Sequence, residues 1–253
     1  MTAGTGSRGA LVQGASGGLG LALVRRLLER GAGPVIGSCR EPEASGALGD
    51  LVASHPDRFE TLRLDVCDES SIERAAGALG ERGIGLELLV NASGLLHRDA
   101  LQPEKRLEQV SADGLRRVFE VNAFGPLLVA RHFLPLLDHG ERTVLANLSA
   151  RVGSIGDNRL GGWYAYRSSK AALNMMTKTL AIELRRRAPQ CVCVALHPGT
   201  VDTALSRPFQ RGVDGQKLFS PERAARQLLD VIDALTPEDS GGFRAWDGSG
   251  IEW

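Results

Sequence analysis

The chain has 253 residues, 43% of them hydrophobic and 24% charged. Those proportions suit a globular protein with a sizeable core and exclude a disordered chain. Thirty Lys and Arg balance thirty Asp and Glu, so the excess positive charge of a general nucleic-acid or anionic-membrane binder is missing.

Short apolar runs alternate with helical spacing along the chain. Residues 10–12 read as a strand ending in Gln13-Gly14, and 19–28 as a helix that stops before Gly31. Residues 35–39 read as a second strand, Leu51 closes a short helix, and 61–66 form a third strand. Ser70 with Glu73 three residues on reads as a capping box that opens the next helix. Residues 86–91 are a fourth strand, and 113–137 one long helix that Pro126 would bend. A fifth strand covers 143–148, a second long helix 164–187 and a sixth strand 192–196. Ser220 caps a helix over 221–235 with Pro221 in its first turn, and 243–246 end the pattern as a strand.

This alternation predicts an α/β fold: a single Rossmann-like domain over 1–253, with a doubly wound parallel sheet of about seven strands and helices on both faces. Ligands of such sheets bind beyond the carboxyl ends of the strands. The irregular stretches 95–110, 152–163 and 202–219 all follow strands, so they form the expected substrate rim, with 202–219 as a lid. No 18-residue apolar run is present to span a membrane, and residues 1–9 lack the basic opening and apolar stretch of a signal peptide. The expectation is a cytoplasmic protein without membrane or nucleic-acid partners. Cys39, Cys67, Cys191 and Cys193 contain no CxxC pair, which points to buried reduced thiols rather than a disulfide framework or a metal site.

The first strand runs into Gly14-Ala-Ser16-Gly-Gly18-Leu19-Gly20. Glycines between a strand and a helix allow a tight turn and close approach of a pyrophosphate, which the helix N–H groups then receive. About 20 residues further on, the dinucleotide fold reads the adenosine ribose. This chain has Ser38-Cys39-Arg40 there. A guanidinium grips a 2′-phosphate where a carboxylate would repel it, so NADP is favoured. The alternative, Glu41 on the ribose hydroxyls with Arg40 in solvent, gives NAD.

Tyr166 and Lys170 lie four apart at the start of the second long helix and so share a face. An ammonium beside a phenol favours phenolate, and the pair then serves as acid in carbonyl reduction and base in alcohol oxidation. Ser149 ends the fifth strand, where its hydroxyl meets a substrate oxygen. Asn122 is an amide within an apolar helical stretch and needs hydrogen-bond partners.

With these residues in order, the chain resembles the short-chain dehydrogenases/reductases over about residues 8 to 253. The resemblance rests on Gly14/Gly18/Gly20, Asp65-Val66, Asn91-Ala92-Ser93-Gly94, Asn122, Ser149, Tyr166/Lys170 and Pro198-Gly199-Thr200-Val201-Asp202-Thr203. Three stretches are most similar to the C-factor and sniffer-type branch: 149–155, 166–174 and Ala245-Trp246-Asp247-Gly248. The resemblance implies a tetrad. Tyr166 is the acid/base, Ser149 the donor to the substrate oxygen, Lys170 the tuner of Tyr166 and holder of the ribose, and Asn122 the holder of a relay water. It further implies that Asp65 and Val66 contact adenine, that Asn91 with Ala92 and Ser93 walls the cofactor, and that Pro198, Gly199, Val201 and Thr203 hold the nicotinamide end. Ala92 and Ser93 depart from the usual Asn-Asn-Ala-Gly, and the 17-residue step from Ser149 to Tyr166 is longer than most in the family.

Leu95, Leu96, His97, Arg151, Val152, Ile155, Trp163, Leu205 and Phe209 frame the expected substrate pocket. The mix suits a carbonyl on an apolar or aromatic body. The leading expectation is an NADP-dependent carbonyl reductase or alcohol dehydrogenase acting on a small molecule. A dinucleotide-binding redox sensor or signalling protein is the rival. Isomerisation of a sugar nucleotide with bound NAD would need a larger C-terminal substrate domain. By the same resemblance the long helices pair across subunits, giving a homodimer or homotetramer.

Overall fold

The computed structural model describes residues 8–212 and 214–253. The signal-peptide reading of the first residues, and Val213 within the 202–219 segment, therefore fall outside the described residues. β1 (Arg8–Gln13) alternates in the period of a strand: Ala10 and Val12 face one helical layer, Leu11 the other. The glycine turn follows, then α1 (Gly18–Glu29), β2 (Val35–Cys39), α2 (Gly46–Ser54) and β3 (Phe59–Arg63). Next come α3 (Glu69–Glu81), β4 (Gly85–Asn91), α4 (Ala112–Phe119) and α5 (Gly125–Leu137). The chain continues through β5 (Thr143–Leu148), α6 (Tyr164–Arg187), β6 (Cys191–His197), β7 (Thr200–Val201), β8 (Leu218–Phe219), α7 (Pro221–Ala234) and β9 (Phe243–Ala245).

Seven strands form one parallel sheet in the order β3-β2-β1-β4-β5-β6-β9. Between β1 and β4 the winding reverses, which opens a crevice at their carboxyl ends. One apolar layer packs Leu23 and Leu27 of α1 and Leu228 and Ile232 of α7 on Val12, Val90 and Val194. The other packs Ile72 of α3, Phe133 of α5 and Leu184 of α6 on Leu11, Leu89 and Leu145. Cys191 and Cys193 lie together in this second layer, as a two-residue spacing on a strand requires.

Several expectations are corrected. The cap of α3 is Asp68, whose carboxylate accepts from Ser70 N at 3.0 Å, so Ser70 lies inside the first turn. β3 starts at Phe59 and ends at Arg63; Leu64 and Val66 are apolar because the loop beyond the strand is buried. The long helix over 113–137 is two helices joined by a π-helical turn, Glu120–Phe124. The backbone stays helical through this turn into α5, and Pro126, which has no N–H to give to the helical ladder, follows directly on the widened turn. Cys67 is exposed while the other three thiols are buried, and all four are free.

Two short pairings were not legible in the sequence. β7 and β8 pair in parallel and tie the two ends of the 202–217 excursion together. Beyond β9, Gly248 turns the chain at φ +82 so that residues 249–251 run antiparallel along it, with Ala245 N donating to Ser249 O and Ile251 N to Phe243 O, both at 2.8 Å.

Candidate active site

The crevice is a cleft of about 820 Å³ that gathers the loops after β1, β2, β3, β4, β5 and β6. Gly14, Ser16, Gly18, Leu19 and Gly20 form its floor at the start of α1. Gly14 has φ +86, and a Cβ there would lie 2.8 Å from Ser93 N. A Cβ on Gly20 would lie 2.2 Å from the Gly14 carbonyl. These glycines are steric necessities of the loop itself, and they leave bare backbone facing the cleft. Arg40 lines the cleft after β2, and Glu41 does not. Asp65, Val66, Ala92 and Ser93 line it further along, as do Pro198, Gly199, Val201 and Thr203. The departure at Ser93 has a partner: Gln13 Nε2 donates to Ser93 Oγ at 2.6 Å while Gln13 Oε1 accepts from Ser93 N at 3.3 Å. Neither residue signals this alone, since 80 positions separate them.

Asn91 is turned inward, contrary to expectation. Its amide donates to Asn147 Oδ1 at 2.8 Å beneath the sheet end, and it does not line the cleft. Asn122 is fully buried in the π-helical turn. It accepts from Leu95 N at 2.7 Å and donates to Leu95 O at 2.8 Å and Ser169 Oγ at 3.1 Å. It thereby clamps the loop after β4 onto α6.

Ser149, Tyr166 and Lys170 all reach the cleft. Ser149 Oγ donates to Asn174 Oδ1 at 2.6 Å; Asn174, one turn beyond Lys170 on α6, closes the 166–174 stretch, but the sequence does not disclose this partnership. Lys170 Nζ donates to Leu148 O at 2.8 Å and lies 5.9 Å from the Tyr166 ring centre. Burial pushes Tyr166 up to about 12 and Lys170 down to about 8. Phenolate stabilisation by the ammonium is therefore outweighed: desolvation of both groups opposes their charged forms. Tyr164, the other tyrosine, is 41% exposed and outside the cleft.

Above Tyr166 stands an aromatic wall. Trp163 meets Tyr166 edge-on at 6.2 Å and Phe209 at 5.0 Å, and Phe209 meets His97 at 5.6 Å. Leu95, Leu96, Val152 and Leu205 complete the apolar lining. His97 Nε2 lies 3.2 Å from Ala204 O and 3.1 Å from Leu205 O, so it bonds the loop after β4 to the 202–219 segment. Arg151 is not part of the wall. It turns outward to Asp157 at 3.1 Å, where an exposed guanidinium keeps its hydration. Ile155 is likewise outside the cleft. His197 lines the cleft without having been singled out in the sequence. Its Nδ1 is enclosed without a partner, and burial, aided by Arg151, lowers its pKa to about 4.

Residues 8–214 match the family model of the short chain dehydrogenases. The chain belongs to the short-chain dehydrogenase/reductase family. A "1-hydroxy-2-glutathionyl-2-methyl-3-butene dehydrogenase" of a Rhodococcus species is 33% identical over 243 residues, covering 96% of this chain and 98% of the relative. The "C-signal" protein of Myxococcus xanthus is 40% identical over 147 residues, 58% of this chain and 83% of the relative. Among solved structures, the NADPH-bound carbonyl reductase from chicken fatty liver superposes with a TM-score of 0.86 at 32% identity, covering 97% of this chain and 99% of that one. The carbonyl reductase Sniffer of Drosophila melanogaster superposes with a TM-score of 0.84 at 28% identity, covering 97% and 99%. These similarities place the chain in the C-factor and sniffer-type branch of this oxidoreductase family. Among the described residues no helix is long and apolar enough to cross a membrane.

Proposed function

We propose that the chain is an NADP-dependent oxidoreductase interconverting a carbonyl and a secondary alcohol, with Tyr166 as the acid/base. One observation carries the reading: Tyr166, Ser149 and Lys170 open onto the same cleft as the glycine loop and Arg40. The residues fit the dinucleotide. The loop presents backbone at a helix N-terminus, and Arg40 offers a fork for a 2′-phosphate with no carboxylate from Glu41 beside it in the cleft. Asp65 and Val66 would flank adenine, Ala92 and Ser93 the adjoining wall, and Pro198, Gly199, Val201 and Thr203 the nicotinamide end. NADPH, when bound, supplies the hydride.

The remaining work belongs to side chains. Ser149 swings its O–H from Asn174 to the substrate oxygen and polarises it. Tyr166, neutral because burial holds its pKa near 12, donates the proton that the reduced oxygen requires. Lys170 would hold the ribose hydroxyls and lies on the path by which Tyr166 regains the proton it has donated. Asn122 fixes the loop on which Leu95 and Leu96 stand. The substrate has an apolar or aromatic body, in keeping with Trp163, Phe209, His97, Leu96 and Leu205 and with Arg151 turned away. The 202–219 segment acts as its lid, latched by His97. Exposed Phe124 at the end of the π-helical turn and Leu127 on α5, with Met175 and Ile182 on α6, support a homodimer or homotetramer joined through these helices. A cytoplasmic setting is part of the same proposal.

The rival, a dinucleotide-binding sensor, draws on the C-signal likeness. It is disfavoured because the groups needed for turnover share one cleft. The test is fluorescence titration with NADPH and NADH, on wild type and Arg40→Ala, followed by carbonyl reduction with Tyr166→Phe as the control. NADPH preference lost in Arg40→Ala, with turnover lost in Tyr166→Phe, is the expected result. NADH preference indifferent to Arg40 refutes the NADP assignment; tight binding without turnover of any carbonyl favours the sensor.

A further inference from the structure

Glu104 lies outside every motif, in the loop between β4 and α4, yet its carboxylate is buried at 5% exposure. Its partners are backbone groups at the start of α6. Oε2 accepts from Ala165 N at 3.2 Å, where free N–H groups and the helix dipole favour an anion. Its own carbonyl accepts from Trp163 N. One residue thus engages both sides of the step from the loop into the helix that carries Tyr166.

The turn it holds is left-handed for three residues: Gly161 at φ +63, Gly162 at +65 and Trp163 at +52. Two glycines adopt this readily, but an L side chain is disfavoured there. Only one other described residue with a side chain, Asp99, has positive φ. Such a conformation persists when its surroundings over-determine it. Here they do so from two directions. Glu104 binds Trp163 and Ala165, and Arg167 Nε donates to Gly161 O and Gly162 O, each at 3.1 Å. Held in this way, the indole stands edge-on over Tyr166, with Phe209 against its far side. The long step from Ser149 to Tyr166 supplies the residues for this turn.

We propose that Glu104 is a positioning residue for the substrate wall. Its carboxylate and carbonyl fix Trp163 in the left-handed conformation that presents the indole to a substrate on Tyr166, and so set a preference for aromatic over aliphatic carbonyls. The proposal rests on the reading of Tyr166 as the reacting acid. A plain helix cap would affect folding without affecting that preference.

The test compares wild type, E104A, E104Q, W163A and E104A/W163A in the NADPH-dependent reduction of acetophenone and of 2-octanone. NADPH binding is the control and stays unchanged in all five. Wild type prefers acetophenone. E104A and W163A each lower that preference about tenfold, through KM rather than kcat, on the scale of one aromatic contact. The double variant loses no more than either alone, because the two act as one unit. E104Q keeps an acceptor for Ala165 N and restores the preference. If E104A does not fold, G162A perturbs the other contact, the Glu104 carbonyl that accepts from Trp163 N, since its Cβ would lie 3.3 Å from that oxygen at φ +65, and it is expected to lose the same preference. A second readout needs no turnover: the near-UV circular dichroism difference between each form and its W163F counterpart, which collapses in E104A and returns in E104Q. A wild type without aromatic preference, an E104A that keeps the preference and the indole signal, or a double variant with multiplied losses overturns the proposal. Absent NADPH binding in wild type overturns the functional reading instead, and the spectral comparison still decides the role of Glu104.

Discussion

Replacing Lys170 by Met tests the electrostatics of the cleft directly. Lys170 is 3% exposed, and burial takes its ammonium from 10.5 down to about 8. A depression of that size corresponds to about 3 kcal/mol held against the folded state while the group is charged. The sign follows from proton binding: between about pH 8 and 10.5 the unfolded chain binds more protons than the folded one. Stability from this group is therefore lowest and flat below pH 8 and rises with pH through that window. Lys170→Met removes the amine and preserves most of the volume. It also removes the hydrogen bond to Leu148 O at 2.8 Å, a loss of about 1–2 kcal/mol that is the same at every pH. From pH 7 to pH 10 the wild type should gain roughly 2–3 kcal/mol relative to the variant. Taking the difference cancels the titrations of groups remote from Lys170, and Tyr166 beside it, whose raised pKa acts in the opposite direction, enters only above pH 10. Urea denaturation of both proteins at four pH values between 7 and 10, compared at a common m-value, reads the effect. A difference in stability that stays constant, or moves against the wild type as pH rises, refutes the desolvation argument.

Gly20→Ala forces a Cβ to within 2.2 Å of the Gly14 carbonyl, so the glycine turn must open; a lower melting temperature and loss of NADPH binding by titration are expected together. Asn174→Ala removes the 2.6 Å partner that keeps Ser149 Oγ in place at the cleft, and with that orientation lost kcat for carbonyl reduction should fall about tenfold while the NADPH Kd is unchanged. His197 is lowered from 6.5 to about 4, so the unfolded chain binds the extra proton between those values and wild-type stability falls by roughly 2–3 kcal/mol on acidification through them. His197→Asn should flatten that acid limb in urea denaturation series.

The parts of the site that the sequence discloses are those encoded locally. Gly14, Gly18 and Gly20 declare a turn, and Tyr166 with Lys170 declares a helical face, because a few residues of spacing suffice. The bounds of α6 were legible in full for the same reason. What escaped depends on partners far along the chain. Gln13 meets Ser93 across 80 positions, Ser149 meets Asn174 across 25, and Glu104 meets Ala165 across 61. Polarity alone could not show that Asn91 turns inward to Asn147 or that Arg151 turns outward to Asp157. Spacing reports an ammonium beside Tyr166 but not the burial that raises its pKa. β3 was misplaced because buried loop residues such as Leu64 look like strand.

The fold-back of residues 249–251 along β9 has a consequence for how molecules meet. A bare edge strand offers its backbone groups to any extended chain and is a common start of fibrous aggregation. On the β9 side, Ser249 O and Ile251 N already occupy that ladder. On the opposite edge, β3 is five residues long, and its Glu60 is held by Arg82 at 2.9 Å. A short, charged strand at one margin and a self-paired one at the other leave little backbone for strand-by-strand growth. A variant lacking residues 249–253 should be recognised by seeded fibril growth that the intact chain resists.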